Sequence, residues 1–222
     1  MNKNKAFTLI ELITVITIIL IIAAIIFPVF SQAKISALST KSISNLSQLG
    51  KSWQMYTDDN DQRLMPFAEY SNYSYFWWAS YNGNLNYNDG LLSPYNKNAE
   101  INNDPLFTNH VMDVVGYKGF GYNYFYLSPN LANGDYQGII YSDIYAPSST
   151  ANFVTSAFNY DGQDIGYPYV VPELYNTPSF QGRANSKGIV EWCDLHTSKR
   201  NVINPDNNHL GFLDTNYLKN SQ

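Results

Sequence analysis

The sequence predicts an α+β protein in which one long amino-terminal α-helix packs on an antiparallel β-sheet head with long loops. Two observations predict the helix: an apolar run over residues 12–30, followed by apolar residues that recur every three or four positions. A third predicts the sheet. From residue 67 onward, short aromatic and β-branched runs alternate with Gly, Asn, Asp and Pro. The 222 residues are enough to bury a core of ordinary size.

The apolar run is long enough to cross a bilayer. Its polar side chains are Thr14 and Thr17, whose hydroxyls can bond to the preceding helical turn. At about 1.5 Å per residue, the run nearly spans a hydrocarbon core of about 30 Å. Lys3 and Lys5 precede it, so the positive-inside bias keeps the start in the cytoplasm. We expect a single-pass precursor in the cytoplasmic membrane with its head outside.

Glu11 stands at the start of this apolar segment, and three interpretations of the segment treat it differently. A secretory signal peptide cut after residues 31–33 would carry no acid, and its apolar core is typically about 7 to 15 residues. A plain membrane anchor leaves the carboxylate unpaired, and inserting such a charge costs about 2.5 to 3.5 kcal/mol near the bilayer centre. A cut between Ala6 and Phe7 would instead create an amine one helical turn from Glu11, on the same chain or an adjacent copy.

The stretch KAFTLIELITVITIILIIAA resembles the amino-terminal signal of type IV pilins and type II secretion pseudopilins. The resemblance implies a leader of residues 1–6, cleavage by a prepilin peptidase between Ala6 and Phe7, and N-methylation of Phe7. It assigns Glu11 to the register between subunits and places a helix kink at Pro28. It implies as partners further copies of the chain, the peptidase, and a pilus or type II secretion assembly machine. In the family Gly usually precedes the cut, and Ala6 replaces it here.

The predicted helix runs from about Thr8 to about Thr57, roughly 75 Å at the standard rise. Residues 7–30 form its transmembrane and polymerisation half, residues 31–57 its amphipathic half, and residues 58–222 a β-rich head, as in the pilin fold. The predicted core face comprises Ile35, Leu38, Ser42, Leu46, Leu49, Trp53 and Tyr56. The predicted opposite face comprises Lys34, Ser39, Lys41, Ser44, Ser47, Lys51 and Ser52.

In the head, six runs are predicted as strands, bounded by Asn-Gly and Asp-Gly turns. The runs are Tyr75–Trp78, Gly119–Leu127, Gly138–Ile144, Asn152–Phe158, Gly188–Trp192 and Leu210–Leu213. The turns are Asn82-Gly83, Asp89-Gly90, Asn133-Gly134 and Asp161-Gly162.

The head also resembles, in pieces, one branch of the family: pilin-like proteins with a type II secretion G-like domain from Planctomycetes and Armatimonadetes. The pieces are SNLSQLGKSWQMYTDDNDQRLMP, LLSPYNKNAEI, GYNYFYLS, IYAPSST and HLGFLDTNYLK. Two places depart from that branch. Asp104-Pro105 replaces a frequent Cys-Pro, and residues 214–216 replace an Asp-Gly-His type of turn.

Acidic residues crowd the predicted end of the helix at Asp58, Asp59 and Asp61. Hard oxygen ligands on a loop suit Ca²⁺, so a calcium site is one interpretation of this cluster. The spacing fits no complete EF-hand loop, because Arg63 occupies a ligand position and no Gly follows. A solvated turn is the other interpretation.

Composition narrows the function classes. A net charge of -5 provides no basic footprint for nucleic acid, and the single cysteine, Cys193, excludes an intrachain disulfide. The candidate acid, base and ligand residues form no recognisable catalytic constellation, so we expect no enzyme. These candidates are Glu69, Glu100, Glu173, Glu191, His110, His196 and His209.

The sequence therefore predicts a structural subunit of a type IV pilus-like extracellular filament. One alternative is a pseudopilin of type II secretion. Another is a membrane-anchored carbohydrate-binding protein, because the head is rich in aromatic residues that could stack on sugars. We expect those aromatics to lie in the core and at subunit interfaces instead: Trp77, Trp78, Tyr81, Tyr122, Tyr124 and Tyr126.

Overall fold

The computed structural model describes residues 7–70, 74–107, 119–128, 138–173 and 176–219. Helix α1, Leu9–Asp59, extends over 51 residues and is followed by antiparallel β-sheets. The predicted α+β class is therefore confirmed. The helix begins and ends within two residues of the predicted bounds, because an apolar run and an amphipathic stripe follow each other without a helix-breaking turn.

Two four-stranded sheets and two two-stranded sheets make up the head within the described residues, and every pairing between their strands is antiparallel. A meander contains β1 (Ala68–Tyr70), β2 (Ser74–Phe76), β3 (Ser80–Tyr81) and β4 (Leu85–Asn86). The central sheet has the order β11 (Thr197–Asn201), β10 (Lys187–Trp192), β6 (Ala151–Thr155) and β5 (Phe120–Tyr122). The pairs are β7 (Ala157–Tyr160) with β8 (Gln163–Gly166), and β9 (Phe180–Gln181) with β12 (Leu210–Gly211).

The remaining elements are short. Helices α2 and α3 span Tyr124–Leu127 and Thr215–Leu218, and 3-10 turns span Ala99–Asn102, Tyr141–Asp143 and Pro147–Ser149.

The second half of α1 covers one face of the central sheet, where it contacts β10, β11 and β6. Leu46, Leu49 and Trp53 are fully buried there and share a core cluster with Phe153 of β6 and Ile189 of β10. A separate cluster that contains Val154 and Val190 of the sheet and Leu218 of α3 forms another part of the core. Burying such side chains contributes roughly 1.5 to 3 kcal/mol each.

The predicted core face of α1 is largely correct. Ser42, Leu46, Leu49, Trp53 and Tyr56 are buried, whereas the first two members of the predicted face, at positions 35 and 38, are half-buried.

Two serines that were predicted for the outer face, Ser39 and Ser52, are buried instead. A serine is small enough to lie under a closely packed neighbour, and Ser52 donates its hydroxyl to the Gln48 carbonyl oxygen at 3.1 Å. The prediction for these two serines, which was based on their polarity alone, is therefore wrong.

The strand predictions are correct where an apolar run pairs with a partner strand: four of the runs overlap β2, β6, β10 and β12. The prediction for Gly138–Ile144 is wrong. That segment pairs only locally with the chain that follows α1, through Leu64 N–H to Ile139 O at 2.8 Å, and then forms a 3-10 turn. The run Gly119–Leu127 is half correct, because β5 ends at Tyr122 and α2 follows.

The turn predictions have three outcomes. Asp161 and Gly162 have φ of 50° and 78° and connect β7 to β8 as predicted, and Gly83, with φ of 74°, lies between β3 and β4. Asp89-Gly90 also lies outside the strands, after the end of β4, and Gly90 packs there against the backbone of Trp78. Asn133-Gly134 lies outside the described residues.

A buried ion pair in the head is joined to α1 by a hydrogen bond. Arg183 Nη1 lies 2.7 Å from Asp104 Oδ2, and both side chains are almost fully buried. The other oxygen of Asp104 accepts a hydrogen bond at 2.8 Å from Ser42 on α1. Arg183 also donates to the carbonyl oxygen of Gly119 at 2.9 Å, and its guanidinium stacks over Phe107. Asp104, one of the two places that depart from the related branch, therefore has a structural role in this chain.

Candidate functional site

Helix α1 begins with a capping box at Thr8 and Glu11. The Thr8 backbone N–H donates to Glu11 Oε2 at 2.8 Å, and the Glu11 backbone N–H donates to Thr8 Oγ1 at 3.3 Å. The Thr8 hydroxyl also lies 2.7 Å from Glu11 Oε2. Two of the otherwise unpaired donors at the start of the helix are thereby satisfied.

Sequence reasoning missed the part played by Thr8. The spacing Thr-x-x-Glu directly before an apolar run is the pattern of a capping box, and it was available in the sequence. Glu11 therefore has a local partner within its own chain. Among the described residues, none donates a hydrogen bond to its second oxygen, Oε1.

The two threonines within the apolar run bond to their own helix as expected. Thr14 Oγ1 donates to the Glu11 carbonyl oxygen at 2.9 Å, and Thr17 Oγ1 donates to the Ile13 carbonyl oxygen at 2.8 Å. Both hydroxyls are therefore satisfied without water, which lowers the cost of placing this segment in hydrocarbon.

The first half of α1 presents a continuous apolar surface that no described part of the chain covers. Every large apolar side chain from Phe7 to Phe30 is exposed, with exposed fractions between 46% and 77%. Within the described residues, α1 is the one helix that is long and apolar enough to cross a membrane. A soluble monomer rarely exposes so large an apolar surface, so this half of α1 requires either lipid or other protein around it.

The helix continues through Pro28 without interruption. Proline removes one helical hydrogen bond and crowds the preceding turn, so the kink at Pro28 stays a prediction of the sequence. Ala6 and the leader of residues 1–6 lie outside the described residues.

Residues 1–27 match the family model for the prokaryotic N-terminal methylation motif. This motif indicates a type IV pilin or pseudopilin-like precursor, which is processed by a prepilin peptidase and delivered to pilus or secretion machinery. The chain has no significant match among curated proteins and none among solved structures. The motif and the apolar helix together fit a membrane-anchored precursor, and the motif family is structural rather than enzymatic.

The aspartates at the end of α1 make local contacts in the structure, and the calcium site stays a prediction of the sequence. Asp58 Oδ1 accepts hydrogen bonds from Gln54 Nε2 at 2.9 Å and from Gln62 Nε2 at 3.0 Å. Asp59 interacts with the Tyr95 hydroxyl, and Asp61 has a positive φ of 53°. In the part of the chain that the structure describes, no group of three or more acidic, His or Cys side chains is arranged to hold a metal ion.

The candidate acids and bases of the head are dispersed. Glu69 accepts a hydrogen bond from the Tyr56 hydroxyl at 3.2 Å. Burial raises the pKa of Tyr56 well above its ordinary value, and the carboxylate of Glu69 raises it further. His196 Nδ1 lies 2.5 Å from Asp194 at the surface. Glu173 accepts a hydrogen bond at 3.2 Å from Asn204, whereas Glu191 is fully buried beneath α1. Glu100 and His209 are exposed, and His110 lies outside the described residues.

The aromatic residues of the head divide between core and surface. Trp77, Trp78 and Tyr122 are buried as expected, and the Trp77 indole N–H donates to the Pro168 carbonyl oxygen at 2.9 Å. Tyr81 is 47% exposed. Tyr124 and Tyr126 are half-buried. The three buried rings are thus unavailable for stacking on a sugar.

Proposed function

We propose that the chain is the structural subunit of a type IV pilus-like filament that assembles through its amino-terminal helix after the leader is removed. The observation that carries this proposal is the coincidence of the methylation motif, at residues 1–27, with an apolar helix half that the head leaves uncovered. The segments of the head that resemble planctomycete and armatimonadete pilin-like proteins support membership of that branch, which is part of the proposal.

Assembly moves the first half of α1 from lipid into a bundle of identical helices. Each subunit contacts the next through two different surfaces, so the contact repeats without closing and produces an open helical polymer. The head, packed on the second half of α1, forms the outside. Lipid and a helix bundle are similarly apolar, so the hydrophobic effect does not favour one over the other. The transfer is therefore driven by the closer packing of helix against helix.

Glu11 sets the register of this bundle in the proposal. After cleavage, the Phe7 amine of an adjacent subunit supplies a positive charge for the carboxylate, while Thr8 continues to bond to Oε2. A subunit in the wrong register would leave Glu11 and an amine unpaired in an apolar bundle, and breaking such a buried pair costs about 3 to 5 kcal/mol. The pair therefore discriminates between registers more than it adds net stability.

Two substitutions separate this charge pairing from helix capping. Glu11→Gln keeps an acceptor for the Thr8 N–H but removes the negative charge, because Gln also serves at this position of a capping box. Thr8→Ala removes the cap, at about 1 kcal/mol, but keeps the charge. We expect Glu11→Gln to abolish surface filaments while the precursor still reaches the membrane, and Thr8→Ala to keep forming filaments.

The measurements are electron microscopy of cells, fractionation, and mass spectrometry of the mature amino terminus. A methylated Phe7 at the start of the mature chain is expected. A chain that begins at Lys34 would identify a secretory signal peptide and overturn the proposal. Normal filaments from Glu11→Gln would remove the register role.

The motif equally fits a pseudopilin of type II secretion. Imaging discriminates the two functions: a pilus extends from the cell surface, whereas a secretion pseudopilus stays short and its loss blocks export of secreted proteins.

A further inference from the structure

Glu191 is a buried acid in the wall of the head core, on β10 facing α1. Its side chain is fully excluded from solvent, and neither carboxyl oxygen has a hydrogen-bond partner among the described residues. A Cβ built at Gly50 of α1 would lie 2.1 Å from Glu191 Oε1. The carboxyl group therefore ends directly against the helix backbone, in the contact between α1 and the central sheet.

The neighbours of this carboxyl group do not neutralise it. On the β6 side, the Asn152 side chain and the Phe153 backbone favour its ionised form, but neither completes a hydrogen bond to it. On β11, the residue paired with it is Thr197, whose buried hydroxyl also lacks a partner within the described residues. Buried polar groups are nearly always paired, so several unpaired groups in one place require an explanation.

Among the described residues, no positively charged group is found to stabilise the ionised form of Glu191. The strand β6 carries no charged residue, and the charged neighbours on α1 and β11, Lys51 and Lys199, are exposed to solvent. The titratable groups that act on the Glu191 region are Asp194, Cys193 and Tyr141. Burial raises the pKa of Glu191 well above its ordinary value of 4.5, and the negative charge of Asp194 raises it further.

We propose that Glu191 is a protonation switch, which holds α1 against the central sheet while it is neutral and loosens that contact when it ionises. An ionised carboxylate must reach water, and the helix that covers it is α1. Separating α1 from β10 is the movement that would expose it. This inference concerns the contact between α1 and the head and does not depend on filament assembly.

The sign of the pH dependence follows from the raised pKa. The folded chain binds the Glu191 proton more tightly than the unfolded chain, so this group's contribution to stability is complete below pH 4.5. It is lost as the pH rises toward the pKa of the folded state. Within that window, each pH unit shifts the equilibrium toward the opened form by about tenfold.

The single cysteine provides a probe for this opening. Cys193 is fully buried in the core cluster that includes Leu46, Leu49 and Trp53 of α1. An alkylating reagent such as iodoacetamide can therefore modify it only when the chain opens. We would label the full-length protein in detergent micelles between pH 5.5 and 8.5, and compare it with Glu191→Gln and with the exposed control Glu100→Gln.

We expect the ratio of the labelling rates, unsubstituted chain to Glu191→Gln, to rise between pH 5.5 and 8.5, by about tenfold for each pH unit until the pKa of the folded state is reached. Glu100→Gln should follow the unsubstituted chain at every pH. A ratio that stays constant with pH, or a cysteine of the unsubstituted chain that remains protected at pH 8.5, would overturn the proposal.

Infrared spectroscopy is a second test of the proposal. The result that would exclude the switch is measured on the unsubstituted protein, so it does not require any variant to fold. At pH 6 we expect the unsubstituted protein to show the carbonyl band of a neutral carboxylic acid, and Glu191→Gln to lack it. Absence of that band from the unsubstituted protein means that Glu191 is already ionised in the folded chain, and the switch is then excluded.

Discussion

Gly50 shows how one residue without a side chain decides the position of a buried acid. Alanine has a higher helix propensity than glycine by about 1 kcal/mol, so propensity alone favours Gly50→Ala. The added Cβ, however, would lie 2.1 Å from Glu191 Oε1 in a closed site. Overpacking of this kind costs about 1 to 3 kcal/mol. The steric effect is therefore expected to win.

We predict that Gly50→Ala lowers the free energy of unfolding by about 1 kcal/mol, the middle of a net range of about 0 to 2 kcal/mol, as measured by urea denaturation in micelles. Ser44→Ala is the matched control, because Ser44 is exposed on the same helix and should change stability by less than about 0.5 kcal/mol. If Gly50→Ala is as stable as the control, Glu191 can move aside and the contact is looser than the structure indicates.

At the scale of elements, α1 is attached to the head by polar as well as apolar contacts. The chain of contacts runs from Ser42 through Asp104 to Arg183, and Arg183 continues it to Gln181 at 2.5 Å. Removing one member of a buried ion pair leaves the other charge uncompensated, at about 3 to 5 kcal/mol. Removing both charges together costs much less.

A double-mutant cycle on Asp104 and Arg183 tests this attachment. We predict that Asp104→Asn and Arg183→Met each destabilise the protein by about 3 to 5 kcal/mol, and that the double variant loses clearly less than the sum. Urea denaturation measures all three, with Glu173→Gln at the surface as a control within about 0.5 kcal/mol. Additive losses would show that the two charges act independently.

The elements differ in how far the sequence predicts them, and the reason is physical. Helix α1 could be predicted almost to its ends, because an apolar run and a stripe depend on local spacing alone. Strand β11, with the sequence Thr-Ser-Lys-Arg-Asn, was missed, because a polar edge strand is defined by its partner β10 rather than by its own pattern. The 3-10 turn Tyr141–Asp143 was wrongly assigned to a strand. The ring of Tyr141 packs against Trp53 of α1 instead of lying in a sheet.

The candidate site divides in the same way. Glu11 could be singled out from the sequence because an acid in an apolar run is costly whatever surrounds it. Glu191 could not be distinguished from the exposed Glu100, because burial beneath α1 results from contacts between segments far apart in the chain. The ion pair of Asp104 and Arg183, which are 79 residues apart, was invisible for the same reason.

At the scale of the whole molecule, α1 serves two parts of the protein at different points along its length. The first buried residue of the described chain is Ser39, and the apolar half before it packs on nothing within the described residues. The head needs the later part, because Leu46, Leu49 and Trp53 are completely buried in its core. The boundary that matters for folding therefore lies inside α1 and not at its end.

Two truncations test this division. We predict that a chain of residues 31–222 folds without detergent and keeps Cys193 protected from alkylation, because every large apolar side chain that it loses from residues 7–30 is exposed. A chain of residues 58–222 should not fold. It lacks four large core residues, Leu46, Leu49, Trp53 and Tyr56. Truncating a single such residue to alanine already costs about 2 to 5 kcal/mol against a total stability of about 5 to 15 kcal/mol. Near-ultraviolet circular dichroism, which reports the fixed packing of tyrosine and tryptophan, measures the outcome for both.

A folded 58–222 chain would mean that the head core closes without α1, and an unfolded 31–222 chain would mean that the apolar half stabilises the head after all.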